Sequence, residues 1–216
     1  HYIKVGKSLG YQSFANNSIV HGGSNDDVIN LLDGKETAFG YEGNDQINAG
    51  SGDDNITGGS GNDTIDGGAG ADVAVFSGGI SGYEINWTQP NQCTVKDIDP
   101  NDGNDGSDSL TDIEFLSFYD VKISAIDSDG DGFGDDLDAF PEDASEILDS
   151  DGDGIGNNAD ADDDGDGVAD TFDYFPLDAS ESLDTDSDGT GDNADTDDDN
   201  DGFSDADESQ CGSDPL

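Results

Sequence analysis

Between residues 22 and 75 one apolar side chain recurs every nine positions, always two places after an acid: Ile29, Ala38, Ile47, Ile56, Ile65 and Ala74 follow Asp27, Glu36, Asp45, Asp54, Asp63 and Asp72. In frame the stretch reads GGSNDDVIN, LLDGKETAF, GYEGNDQIN, AGSGDDNIT, GGSGNDTID and GGAGADVAV, six consecutive copies of a G-G-x-G-x-D-x-U-x unit in which U is apolar. The glycines permit a tight turn of positive φ and bring backbone carbonyls together, and the sixth-position acid projects into that turn. The eighth-position side chain then points inward from a short strand. Two units make one coil, so the expected fold is a parallel β-roll with Asp27, Asp45 and Asp63 along one side and Glu36, Asp54 and Asp72 along the other. Unit 2 lacks its first two glycines and carries the longer Glu36, so the two rows are expected to be unequal.

The flanks carry a different pattern. Residues 1–21 alternate loosely through Tyr2, Val5, Tyr11, Phe14, Ile19 and Val20, which predicts one or two strands over the open end of the roll. Residues 76–125 alternate at Tyr83, Ile85 and Trp87, continue through Val95 and Ile98, and end in LTDIEFLSFYDVKISAI. That spacing predicts a small antiparallel cap at the far end, with Trp87 as core. The intervening loop, residues 99–108, is read as solvated or as holding a further ion.

From 126 to 216 a second repeat begins, with a period of 35. Its motif, D-x-D-x-D-G-x-x-[DN]-x-x-[DE], starts at residues 127, 149, 162, 184 and 197, and the phrases DAFPEDASE and DYFPLDASE fill the longer spacers. Acids at positions 1, 3 and 5 of a turning loop converge on one cation, glycine at 6 allows the turn, and positions 9 and 12 complete the sphere. The candidate ligands are Asp127, Asp129, Asp131, Asp135 and Asp138; Asp149, Asp151, Asp153, Asn157 and Asp160; Asp162, Asp164, Asp166, Asp170 and Asp173; Asp184, Asp186, Asp188, Asp192 and Asp195; and Asp197, Asp199, Asp201, Asp205 and Glu208. Pro141, Pro176, the glycines and the density of Asp argue against the flanking helices of an EF-hand. Phe140 and Phe175 are expected as small apolar plugs between loops.

Composition says what these acids bind. Of 216 residues, 54 are Asp or Glu against 5 Lys and no Arg, a formal net charge of -49, and only 31% are hydrophobic. Such a chain would read as disordered were its acids and 32 glycines not held in register. Self-repulsion opposes compaction without counter-ions, and it excludes nucleic acid and anionic membranes as partners. Carboxylates with backbone carbonyls are the hard oxygen donors that calcium prefers, and multiple Ca2+ ions are the expected cofactor. About ten to fifteen ions, at one to two per motif, would cancel only part of the charge. The absence of Met reads as a piece of a larger protein, and no apolar run suits a membrane span. Cys93 and Cys211 are too few for a disulfide scaffold or a zinc site, and whether they pair stays open. His1 and His21 have no partner motif and read as surface residues.

Residues 22–75 resemble the repeats-in-toxin (RTX) family of secreted bacterial proteins. The resemblance implies calcium held between stacked turns, by the sixth-position acid of one turn and carbonyls of the next. The pattern from DVAVFSG through DSLTDIEFLSF resembles the segment that follows such rolls in that family. Residues 126–216, with alternating long and short loops and no helices, look like thrombospondin type 3 repeats, which implies irregular chain wrapped around a line of calcium ions. The expected whole is mainly β: an N-terminal β cap (1–21), a parallel β-roll (22–75), an antiparallel β cap (76–125) and a largely irregular calcium-wrapped extension (126–216).

No phosphate loop or His-centred triad is present, and the carboxylates are committed to repeating ion sites. The leading reading is a non-enzymatic, calcium-rigidified spacer of a larger bacterial secreted or cell-surface, adhesin-like protein, located outside the cell. One alternative is an accessory module of a secreted hydrolase or toxin. Another is a calcium-dependent module that contacts a cell-surface glycan or protein, for which Trp87 or Tyr174 beside an ion would be the contact.

Overall fold

The computed structural model describes residues 2–4, 18–99, 101, 103–213 and 215. His1 and the alternation through Val5, Tyr11 and Phe14 lie outside the described residues. Two compact units divide at Ala144 and Ser145.

The first unit is built from β1 (Tyr2–Lys4), β2 (Ile19–Gly23), β3 (Val28–Asn30), β4 (Thr37–Glu42), β5 (Gln46–Asn48), β6 (Asn55–Ser60), β7 (Thr64–Asp66) and β8 (Val73–Val75). These are followed by β9 (Tyr83–Gln89), β10 (Gln92–Asp97), β11 (Ser107–Thr111), β12 (Phe115–Ser117) and β13 (Lys122–Ser124). They form two sheets, ordered β1-β2-β4-β6-β8-β12-β13 and β3-β5-β7-β11-β10-β9. Successive nonapeptides alternate between the sheets, so each strand pairs in parallel with the strand 18 residues on: Ile29 with Ile47, Ile47 with Ile65, Ala38 with Ile56, Ile56 with Ala74. Their eighth-position side chains face one another across the coil and are fully buried, together with Val20, Leu110 and Leu116. The fold is a parallel β-solenoid, as the nine-residue spacing predicts.

The segment after the roll departs from expectation. Only β9–β10, β10–β11 and β12–β13 pair antiparallel. β11 lies parallel on β7 with Leu110 on Ile65, and β12 lies parallel on β8 with Leu116 on Ala74. The cap is therefore mixed: residues 107–117 extend both parallel sheets, because each strand offers one apolar residue in the roll's own register. At the other end β1 joins β2 in parallel. Trp87 is half-buried against the core, and its indole N–H donates to the Ala125 carbonyl at 3.1 Å. Gly134 of the first acidic loop sits against the same ring. On the roll's outer surface His21 stacks with Phe39 and Tyr41, at centroid distances of 5.2 and 5.7 Å.

The second unit, 145–216, has no strand and no buried apolar side chain among the described residues. Phe175 is only half-buried, as is Phe140 in the first unit, and Tyr174 is exposed, so no enclosed apolar plug forms. A helix begins within the last positions of the fifth loop, contrary to the sequence reading: α1 (Asp205–Cys211). Its ends explain it. The Ser204 side chain accepts from the Asp207 N–H, three acids occupy the first turn where the helix dipole favours them, and Gly212 closes the helix at φ 78. Among the described residues no helix is long and apolar enough to cross a membrane. Cys93 is buried, Cys211 is exposed, and both are free thiols.

Candidate metal centres

In the roll the six predicted acids form the two expected rows, and all six are buried. Each row is a chain of identical hydrogen bonds. Asp27 N–H donates to Asp45 Oδ1 and Asp45 N–H to Asp63 Oδ1, both at 2.7 Å. Glu36 N–H donates to Asp54 Oδ1 at 2.6 Å and Asp54 N–H to Asp72 Oδ1 at 2.8 Å. One oxygen of Asp45, Asp54, Asp63 and Asp72 is thus spent on the neighbouring turn. Oδ2 of Asp27, Asp45, Asp54, Asp63 and Asp72 is buried with no protein partner. A buried carboxylate oxygen without a donor is costly unless a cation meets it.

First-position glycines make room for these oxygens. A Cβ at Gly40 would fall on Asp45 Oδ2 and the Gly58 carbonyl, and a Cβ at Gly58 on Asp63 Oδ2. Carboxylate oxygen and backbone carbonyl therefore share one small space, which is the donor set calcium takes. The ion pairs among the described residues, Lys35–Asp53 and Lys96–Glu84, are exposed and neutralise none of the buried acids.

The charges feel that lack. Burial pushes Asp63 up to about 6 and Asp72 up to about 7, outweighing the backbone N–H each accepts, with the neighbouring Asp45 and Asp54 adding repulsion. Asp45 and Asp54 are raised for the same first reason. The sign follows by linkage. A carboxyl raised in the folded, ion-free roll costs nothing below its unfolded value near 3.8, and destabilises progressively as pH rises through the folded values of about 6 and 7. Calcium takes the ionised form, so uptake should expel protons near pH 6 and weaken as pH falls from 8 to 5. Calorimetric titration in buffers of differing ionisation heat reads this: proton release at pH 6 is expected, vanishing by pH 9. Equal heats in all buffers at pH 6 would contradict it.

In the acidic loops the structure brings each predicted 1-3-5 triplet together: ligand atoms of Asp127, Asp129 and Asp131 lie within 4.8 Å of one another, and so do those of the triplets from Asp149, Asp162, Asp184 and Asp197. The loops fold around their own acids. In every copy the position-5 N–H donates to the position-3 carboxylate and the position-7 N–H to position 5, as in Asp131 to Asp129 and Phe133 to Asp131. Position 9 accepts from the position-2 N–H: Ser128 to Asp135, Ser150 to Asn157, Asp163 to Asp170, Thr185 to Asp192, Asp198 to Asp205. Second oxygens stay unpartnered and buried at Asp129, Asp131, Asp162, Asp164 and Asp197, and at the position-12 residues Asp138, Asp173 and Glu208. Position-12 Asp160 and Asp195 instead turn Oδ1 to the two N–H groups that follow them.

Four acids outside the predicted set enter these surroundings. Asp108 and Glu114 stand beside the last acids of the roll's rows, and Asp72 N–H donates to Glu114 Oε2 at 2.7 Å. Glu146 and Glu181 are buried in the second unit, where their Oε2 atoms accept from Asn158 and Asn193 N–H at 2.9 and 3.0 Å. The signal for the latter pair was the phrase DASE, repeated 35 residues apart.

Comparison with known proteins agrees with the two repeat types. Residues 39–74 match the RTX calcium-binding nonapeptide repeat, in four copies, and residues 197–216 match the bacterial TSP3 repeat. No curated protein matches the chain. Among solved structures, the crystal structure of extracellular lipase LipA from Serratia marcescens aligns with 59% of this chain at 14% identity and a TM-score of 0.27. The alignment spans 20% of the lipase chain. The protein is thus a carrier of RTX calcium-binding nonapeptide repeats, folded as a parallel β-roll, together with a bacterial TSP3 repeat.

Proposed function

We propose that the chain is a calcium-stiffened, non-catalytic spacer of a larger bacterial protein that is secreted or held at the cell surface. One observation carries this reading: among the described residues of 145–216, the buried side chains are Glu146, Asp173, Glu181 and Glu208, all carboxylates. A compact unit normally hides apolar surface. One that hides only acids is held by what those acids bind. The six roll acids and the residues at positions 1, 3, 5, 9 and 12 of each loop are the proposed ligands. At position 9, Asp170 and Asp205 spend one oxygen on the loop, whereas Asp135 and Asp192 spend both on Ser128 and Thr185, and the single oxygen of Asn157 accepts from Ser150 N–H.

Ions bind the folded form, so order follows free calcium. At the low calcium of a cytoplasm the chain stays expanded by self-repulsion, and at millimolar calcium outside the cell it folds and stiffens. Secretion and surface attachment rest on this logic and on the match to RTX repeats. Stretching the chain in an optical trap tests the mechanical role. In millimolar calcium, discrete unfolding steps are expected; in chelator, smooth extension without steps. Equal resistance in both would refute the reading.

A further inference from the structure

The nonapeptide frame does not end at Val75. Counted in nines from Gly22 it reaches residue 103, and GNDGSDSLT (103–111) falls in frame with Gly103, Gly106, Asp108 and Leu110 at positions 1, 4, 6 and 8. Residues 76–102, which carry β9 and β10, form an excursion three whole units long.

Several contacts make 103–111 the next turn of the odd-numbered row. Asp63 N–H donates to Asp108 Oδ1 at 2.8 Å, repeating the Asp45-to-Asp63 bond at 2.7 Å. Ser107 N–H donates to Asn62 Oδ1 at 2.9 Å, repeating the Asn62-to-Asn44 bond at 2.9 Å. Gly106 lies over the Gly61 carbonyl as Gly61 lies over that of Gly43. Asp108 is 2% exposed, and among the described residues it accepts only the Asp63 bond, leaving Oδ2 without a protein donor. The even row ends differently. Asp108 and Glu114 are only six residues apart, and Asp112 at φ 49 replaces the glycine turn.

We propose that the turns 58–63 and 103–108 together form a further calcium site, with Asp63 and Asp108 as its carboxylates, which neither segment makes alone. The proposal rests on the calcium reading of the repeats and adds a consequence. Because the excursion separates the two halves, the ion acts as a clasp: occupying the site fixes β11 on β7, and through β11 the hairpin β9–β10. Cap closure then depends on calcium even though the cap has its own apolar residues.

Asp108→Asn tests this, since Asn keeps the acceptor for Asp63 N–H and replaces the second carboxylate oxygen by an uncharged amide nitrogen that cannot ligate the ion. Ions are counted by native mass spectrometry, and protection of 92–97 and 107–111 is followed by hydrogen exchange across a calcium titration. The variant should hold one ion fewer than the parent and should need at least tenfold more calcium to protect both segments. In chelator it should exchange no faster than the parent, since Asn keeps the bond from Asp63 N–H. An unchanged ion count with an unchanged calcium midpoint would overturn the proposal, and so would faster exchange in chelator, the mark of a purely structural role. Asp45→Asn, inside the matched repeats, serves as the control. If it loses an ion and Asp108→Asn does not, the clasp alone fails; if neither does, the calcium reading of the roll fails with it.

Discussion

Exhaustive chelation at neutral pH is expected to abolish the β signal in circular dichroism and to enlarge the radius of gyration in solution scattering, with both changes reversed by calcium. The size of the effect follows from what the folded chain hides. The roll buries six acids in two rows, five of them with an oxygen that no protein donor meets. The second unit buries carboxylates and no apolar side chain among its described residues. A ligand at 100 times its dissociation constant stabilises the folded form by about 2.7 kcal/mol per site. Whole domains are stable by only about 5–15 kcal/mol, so vacating a few sites is enough to unfold the roll. The second unit, without an apolar reserve, should expand first. Magnesium should restore little, because it demands near-octahedral geometry and gives up its waters reluctantly, whereas these crowded carboxylates and carbonyls suit a larger ion. A dichroism and scattering profile unchanged by chelator would sink the idea that cations hold this fold.

The parts of the architecture legible in the sequence were those where local geometry repeats at a fixed interval. Asp45, Asp54, Asp63 and Asp72 could be placed in rows because an ion-binding turn and an inward side chain recur every nine residues, and a shift of one residue would expose Ile47 or Ile56. The same was true of the loop triplets, whose 1-3-5 spacing is itself the binding geometry. Where a repeat was interrupted, the reading failed. Asp108 is in frame, yet the excursion 76–102 and the acids around it make residues 99–108 read as a loop, solvated or holding a further ion, and not as the next turn of the roll. Parallel pairing of β11 and β12 is a long-range fact that alternation of side chains cannot announce. Glu146 and Glu181 lie outside any loop motif; the repeat of DASE marks the pair, but only their burial shows that they turn inward. The helix α1 is hidden in the sequence because Asp205 and Glu208 of its first turn fall at positions 9 and 12 of the loop motif, although Ser204 and Gly212 mark its two ends.

Replacing Gly52 is expected to cost far more than replacing Gly130, although both are loop glycines of positive φ, 127 and 82. At Gly130 nothing lies within 4 Å of an added Cβ, so the only penalty is backbone conformation. The chain shows that this penalty is tolerated: at the same loop position the fourth and fifth copies carry Ser187 and Asn200, at φ 65 and 55. Gly130→Asn should therefore cost under about 1 kcal/mol, since Asn accepts left-handed geometry well. At Gly52 a Cβ would fall on the Gly34 carbonyl oxygen, part of the turn stacked against it. That atom is backbone, so the two turns must separate, and the hydrogen bonds from Gly34 N–H to the Ser51 carbonyl and from Gly52 N–H to the Ala69 carbonyl, both 2.7 Å, are strained with them. Overpacking of about 1–3 kcal/mol adds to backbone strain of about 1–3 kcal/mol, so Gly52→Asn should lose roughly 2–6 kcal/mol. Thermal unfolding in saturating calcium measures both variants. Equal losses would mean that the roll's turns are not stacked as closely as Gly34 and Gly52 place them.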